Sequence, residues 1–271
     1  EVVYPDGETV TYEYDVTGNR TVMNSSKNGV TRYTYNSLGQ LTQLEGSKET
    51  ESFSYDANGN MVERKKKSGA TVRYSWDYEN LLVGVNDGTT KVTFGYDGDG
   101  RRLVKTVNGQ TTKYIQQGSA LPQVLVQITG AQTTRSLLGL PRIGESNSQA
   151  TTFYLEDGLG SVVGITDASG SLKGTAEYDA FGAPRTSPAL SASFSFTGEQ
   201  FDTETGLLFL RARFYDPKLG RFISADPFPP SALNPQTLNR YIYVGNNPVN
   251  AVDPLGLKED CSPSCSETWH L

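Results

Sequence analysis

The sequence predicts an all-β fold, an antiparallel ribbon of short strands, on three observations. An aromatic residue followed by Asp or Asn recurs every 20 or 21 residues: Tyr14-Asp15, Tyr35-Asn36, Tyr55-Asp56, Trp76-Asp77 and Tyr96-Asp97. Two residues before each stands another aromatic, Tyr12, Tyr33, Phe53, Tyr74 and Phe94, with a polar or small residue between. Side chains two apart share a strand face, so one face is aromatic and the other polar. Finally, 28 glycines and 15 tyrosines among 271 residues, against only 2 methionines, suit short strands and tight turns better than helices.

Each element follows in chain order. The aromatic strand runs into turn formers, as in Asp15-Val16-Thr17-Gly18-Asn19 and Asp56-Ala57-Asn58-Gly59-Asn60. Asp and Asn side chains bond the backbone that follows them, and Gly permits positive φ. A second strand comes next, Arg20-Thr21-Val22-Met23, Leu41-Thr42-Gln43-Leu44, Met61-Val62-Glu63 or Leu81-Leu82-Val83, and then another turn such as Asn28-Gly29 or Ser68-Gly69. A lone hairpin is marginal in water, so the units must continue one sheet side by side. Between about Tyr114 and Ala150 the period loosens, and this stretch reads as a crossover between two β segments. Strand and turn patterning resumes at Phe153-Tyr154-Leu155, Tyr178-Asp179-Ala180-Phe181-Gly182 and Phe196-Thr197-Gly198.

Charge narrows the function. A net charge of −6 without a sustained basic stripe argues against nucleic acid as a partner. The short run Arg64-Lys65-Lys66-Lys67 reads as a solvated hairpin tip. No apolar stretch has membrane-helix length, and the first residues lack a signal-peptide pattern. The chain reads as a piece of a longer polypeptide with its export address upstream. Asp97-Gly98-Asp99-Gly100 reads as a repeat turn, since it lacks the downstream glutamate of a calcium loop. Cys261, Cys265 and His270 are too few for a structural zinc site, so neither a metal nor a cofactor is expected. With the sole histidine at position 270, Ser-His or Cys-His catalysis is not expected in the body.

The Tyr-Asp-x-x-Gly-Asn turn at this spacing resembles the YD repeats of RHS proteins, toxin-complex C subunits and teneurins. Gly206-Leu207, Arg211-Ala212-Arg213-Phe214-Tyr215-Asp216-Pro217, Gly220-Arg221-Phe222-Ile223-Ser224-Ala225-Asp226-Pro227, Tyr241-Ile242-Tyr243-Val244-Gly245-Asn246-Asn247-Pro248 and Asp253-Pro254-Leu255-Gly256-Leu257, in that order, resemble the RHS repeat-associated core domain. The resemblance implies a ribbon curling into a cocoon-like shell. It divides the chain into YD repeats (1–115), the core (116–257) and the start of a variable effector region (258–271). The implied function is the shell-forming scaffold of a polymorphic toxin in interbacterial competition, secreted or at the cell surface. Its implied partners are its own C-terminal effector segment, an immunity protein and a delivery apparatus. The alternatives are a surface adhesion module that binds carbohydrate or protein without catalysis, and a degenerate remnant whose shell does not close.

The chemistry to expect is single-turnover hydrolysis of the chain's own Leu257–Lys258 bond by Asp226 and Asp253. Two carboxyl groups sharing a water-poor site divide labour as acid and base. By resemblance, Arg213 orients a carboxylate, with Arg221 as second choice. Asp-Pro also starts turns, so both aspartates also read as turn caps. The segment Asp226-Pro227-Phe228-Pro229-Pro230 departs from the Gly-containing continuation of many relatives, which puts the placement of the Asp226 carboxylate in question.

Overall fold

The computed structural model describes residues 1–118, 121–139, 142–185, 190–230, 235–257 and 260–261. An 18-stranded antiparallel sheet runs from Val2–Val3 to Leu172–Thr175, each strand pairing with the next along the chain. The expected crossover is not there. Strands Gln110–Gln117, Gln123–Thr129, Gln132–Leu137 and Gly144–Ser146 carry the same meander through that region. The aromatic marker is lost there, but antiparallel pairing is made by the backbone N–H and C=O groups that these residues still carry.

The periodic Asp or Asn builds each turn. Asp15 Oδ1 accepts the N–H groups of Thr17 and Asn19, both at 2.9 Å. Asn36, Asp56, Asp77 and Asp97 repeat the arrangement. So do Asp157, Asp167 and Asp179, beyond the five periodic units. The residue three beyond the acceptor takes positive φ; it is Gly in most units, and Asn80 (φ 63°) where the fourth unit lacks one.

Immediately before each signature aromatic the register slips by one residue, so that Tyr14 faces Arg20, Tyr35 faces Leu41, Tyr55 faces Met61, Trp76 faces Leu82 and Tyr96 faces Arg102. A bulge at this fixed point in every unit bends the strand and adds twist, which makes the ribbon curl. The aromatic then reaches one unit back. Tyr35 Oη donates to the Arg20 carbonyl, Trp76 Nε1 to Met61 and Tyr96 Oη to Leu82, at 2.6–2.8 Å.

A four-stranded sheet, Gln200–Asp202, Leu207–Leu210, Arg213–Asp216 and Arg221–Phe222, packs on the aromatic face. Every residue of its two central strands is buried. Leu207, Phe209 and Phe214 join Tyr33, Phe53, Tyr74 and Phe94 of the ribbon in one core, with the Phe94 and Phe214 rings 5.0 Å apart. Ion pairs fasten the layers. Arg102, fully buried, meets Asp202 at 2.5 Å, and Arg64 meets Asp216 at 2.9 Å and Glu51 at 2.5 Å. Arg64 is therefore no part of a solvated tip: it lies across the strand pair from Phe53, which puts it on the aromatic face.

Two expectations follow from the turns. Asp56→Ala removes an acceptor of two backbone N–H groups and should destabilise by about 1–3 kcal/mol in urea unfolding, whereas Asp56→Asn should cost less, because its Oδ1 still caps both N–H groups as Asn36 does and only the Asn60 Nδ2 donation to Oδ2 is lost. Burial pushes the Asp179 carboxyl up to about 6, against the pull of Arg20 and Arg185. The folded state thus binds this proton more tightly than the unfolded chain, so the contribution is full below about pH 4 and is lost as pH rises through about 6. Asp179→Asn should therefore exceed the wild type in stability at pH 7 by on the order of 3 kcal/mol and lose that advantage at pH 4.

Candidate active site

Behind the small sheet, away from the ribbon, lies a second core of Leu208, Leu210, Tyr215, Phe222, Tyr243, Val244 and Ala251. The chain emerging from it carries Asp253. Ala251–Val252 pairs antiparallel with Asp260–Cys261, and the expected scissile bond lies between these two strands in sequence. Leu257 is described and partly buried; Lys258 lies outside the described residues, as do Cys265 and His270.

Arg213, Asp226 and Asp253 come together. The Arg213 Nη2 atom stands 3.0 Å from Asp226 Oδ2 and 3.9 Å from Asp253 Oδ2. The guanidinium stacks 3.6 Å from the centre of the Phe222 ring, donates Nη1–H to the Arg240 carbonyl at 3.1 Å and Nε–H to the carbonyl of Gly256. Burial pushes it down to about 10, with both aspartates opposing. Each aspartate uses Oδ1 as a turn cap: Asp226 accepts the Phe228 N–H at 2.8 Å and Asp253 the Leu257 N–H at 3.0 Å. Turn capping and a shared guanidinium are thus compatible, because one oxygen of each carboxylate serves each purpose. The proline-rich segment after Asp226 leaves Oδ2 directed at Arg213.

Arg221 goes elsewhere. Its Nη2 donates to the Gly39 carbonyl at 2.6 Å, and its guanidinium lies against the rings of Tyr35 and Tyr241. Nearness to Asp226 in sequence did not carry into space, because Arg221 sits in the edge strand that faces the ribbon turns.

Other residues hold the Asp253–Leu257 segment and were not foreseen. Arg211, at φ 60°, donates through Nη1 to Glu199 Oε1 at 2.7 Å and to the Pro254 carbonyl. Burial pushes the Glu199 carboxyl up, and Arg211 opposes it. The Ala212 N–H donates to the Leu255 carbonyl at 3.1 Å. Gly256 lies so close to the small sheet that a Cβ there would collide with the Leu210 carbonyl oxygen. Glu199 had no sequence signal, since only the tertiary fold brings it to Arg211; Gly256 stood within the Asp-Pro-Leu-Gly-Leu motif. Among the described residues no cluster of His, Cys, Asp and Glu is arranged to hold a metal.

The Teneurin YD-shell family profile matches residues 1–249. The tRNA3(Ser)-specific nuclease WapA of Bacillus spizizenii is 35% identical over 167 residues, 57% of this chain and 7% of WapA. Toxin protein Tse5 of Pseudomonas aeruginosa is 33% identical over 120 residues, 44% of this chain and 8% of Tse5. This chain thus spans under a tenth of the length of either relative. In the crystal structure of TcdB2-TccC3 without its hypervariable C-terminal region, the match covers 94% of this chain and 17% of that one, with TM-score 0.54 and 19% identity; it shows a shared fold.

Gly256→Ala should lift the segment off the small sheet, since the collision adds to the strain of an L-residue at φ 69°, together about 2 kcal/mol. Hydrogen exchange at the Leu257 amide, now shielded by Asp253, should accelerate while exchange in the ribbon stays unchanged.

Proposed function

Because this chain belongs to the Teneurin YD-shell family, we propose that it forms wall and end piece of a toxin shell that holds a C-terminal effector and releases it by cutting its own chain after Leu257. In this reading residues 1–115 supply the repeat wall, 116–257 the core that closes it, and 258–271 begin the effector region. The observation that carries the reading is one guanidinium between two carboxylates, one of which also holds the Leu257 amide. Asp226, paired with Arg213, takes a proton from the attacking water. Asp253 first hydrogen-bonds the Leu257 carbonyl and then gives its proton to the departing Lys258 nitrogen. The water oxygen joins the Leu257 carbonyl carbon, the C–N bond breaks, and a carboxylate and an amine result. No external substrate has to be bound, because the fold itself presents the bond.

Named relatives support the toxin setting: WapA is a tRNA nuclease and Tse5 a toxin protein, while the structural neighbour has a hypervariable C-terminal region. A secreted or surface location, with an immunity protein and a delivery apparatus as partners, follows from the same setting. No helix among the described residues is long and apolar enough to cross a membrane.

The test is intact mass over time for the chain carrying a tag after Leu271, beside Asp226→Asn and Asp253→Asn. Loss of everything after Leu257 in the wild type, slowed at least about a hundredfold in each variant, is expected. Intact mass in all three, with a folded β spectrum, overturns the cleavage step and leaves a structural module.

A further inference from the structure

Four arginines are almost wholly enclosed: Arg20 (6% exposed), Arg102 (1%), Arg213 (5%) and Arg221 (5%). Arg102 has Asp202 and Arg213 has Asp226 within ion-pair distance. Arg20 and Arg221 have no carboxylate within 4.0 Å among the described residues. Both line the same small recess of about 20 Å³, together with Gly18, Asn19, Tyr35, Gly220, Tyr241 and Asn246. In each of the two, the buried Nε–H has no hydrogen-bond partner among the described residues. Aromatic rings flank both: Tyr12, Tyr33 and Phe181 surround Arg20, and Tyr35 and Tyr241 flank Arg221, whose Nη2 also donates to the Gly39 carbonyl. The carboxyl of Asp179 feels Arg20, but it stands beyond ion-pair reach, and its Oδ1 is taken by the N–H groups of Phe181 and Ala183.

Two guanidinium groups buried at one recess with no carboxylate beside them are unfavourable unless a negative charge joins them. The recess is large enough for one water-sized occupant and too small for a carboxylate, sulfate or phosphate. We propose that it binds a single monatomic anion of the chloride class, held between Arg20 and Arg221.

The site would fasten two ends of the fold. Arg20 opens the second strand of the first repeat, and Asn246 donates to the Gly18 carbonyl of that same turn at 2.9 Å. Arg221 is bridged to Ile242 and donates to the Gly39 carbonyl of the next turn. An anion between them would cross-link the first repeat turns to the segment that leads to Asp253. Gly220 leaves room for this approach, since a Cβ there would collide with the Arg20 guanidinium.

The test is thermal unfolding of the full chain at constant ionic strength while sodium gluconate is replaced by sodium chloride or bromide. A saturable rise in Tm is expected, because a ligand that binds only the folded state stabilises it in proportion to ln(1 + [L]/Kd). Arg221→Met should abolish the halide-dependent part of the rise. Should that variant fail to fold, anomalous scattering at the bromine edge from bromide-soaked crystals of the wild type decides the matter. A bromide peak between the two guanidinium groups sustains the proposal. A Tm indifferent to halide, or a cavity holding only water, overturns it.

Discussion

The aromatic face of the repeat ribbon has to be covered, and the rest of the structure follows from how that is done. Buried aromatic side chains remove 150–250 Å² each from water, and a continuous row of them left exposed would be an adhesive surface. The chain covers the row with its own four-stranded sheet. That sheet is in turn covered from behind by the 3₁₀ and extended segments that contribute Tyr243, Val244 and Ala251. A sheet buried on both faces needs apolar residues on both, and Leu207-Leu208-Phe209-Leu210 is apolar without alternation for that reason. The three layers set the position of the site. Arg213 ends the turn between two buried strands, and Asp253 leaves the third layer directly above it.

Desolvated cations decide how the layers meet. An unpaired guanidinium in that interior would be strongly destabilising, so the docking that delivers Asp202 to Arg102 and Asp216 to Arg64 is favoured over neighbouring registers of apolar contact. The same rule acts at the site, where Arg213 is held by two carboxylates, two carbonyl oxygens and one ring. The cost of burying one charge thereby fixes the positions of Asp226, Arg240 and Gly256 together. At Arg20 and Arg221 the rule has no carboxylate among the described residues to satisfy it, and the two line one recess instead.

Local chemistry made much of this legible. The Asp or Asn acceptor followed by Gly three residues on encodes one turn, and the aromatic pair encodes the strand before it; both are interactions within a few residues. The bulge ahead of each signature aromatic was not legible, since it is a property of two strands. Asp157 and Asp167 form the same turn without the preceding aromatic, so a search for the aromatic-Asp pair passes them by, whereas Tyr178-Asp179 keeps the pair. Arg64 looked like part of a basic tip until its pairing with Phe53 placed it inside. Arg221, five residues before Asp226, was directed toward the ribbon because a strand edge chooses its neighbours by sheet packing and not by sequence distance.

The sequence by itself determined the strands, the turns and the two-faced ribbon, because these rest on contacts between residues close along the chain. It also marked Arg213, Asp226 and Asp253 through motifs. Only the tertiary structure decided that one guanidinium lies between those two carboxylates, that Glu199 and Arg211 hold the Pro254 carbonyl, and that Arg20 and Arg221 enclose one cavity. Such meetings join residues up to about two hundred positions apart, and they are selected by what the packed layers can bury without leaving a charge unpaired.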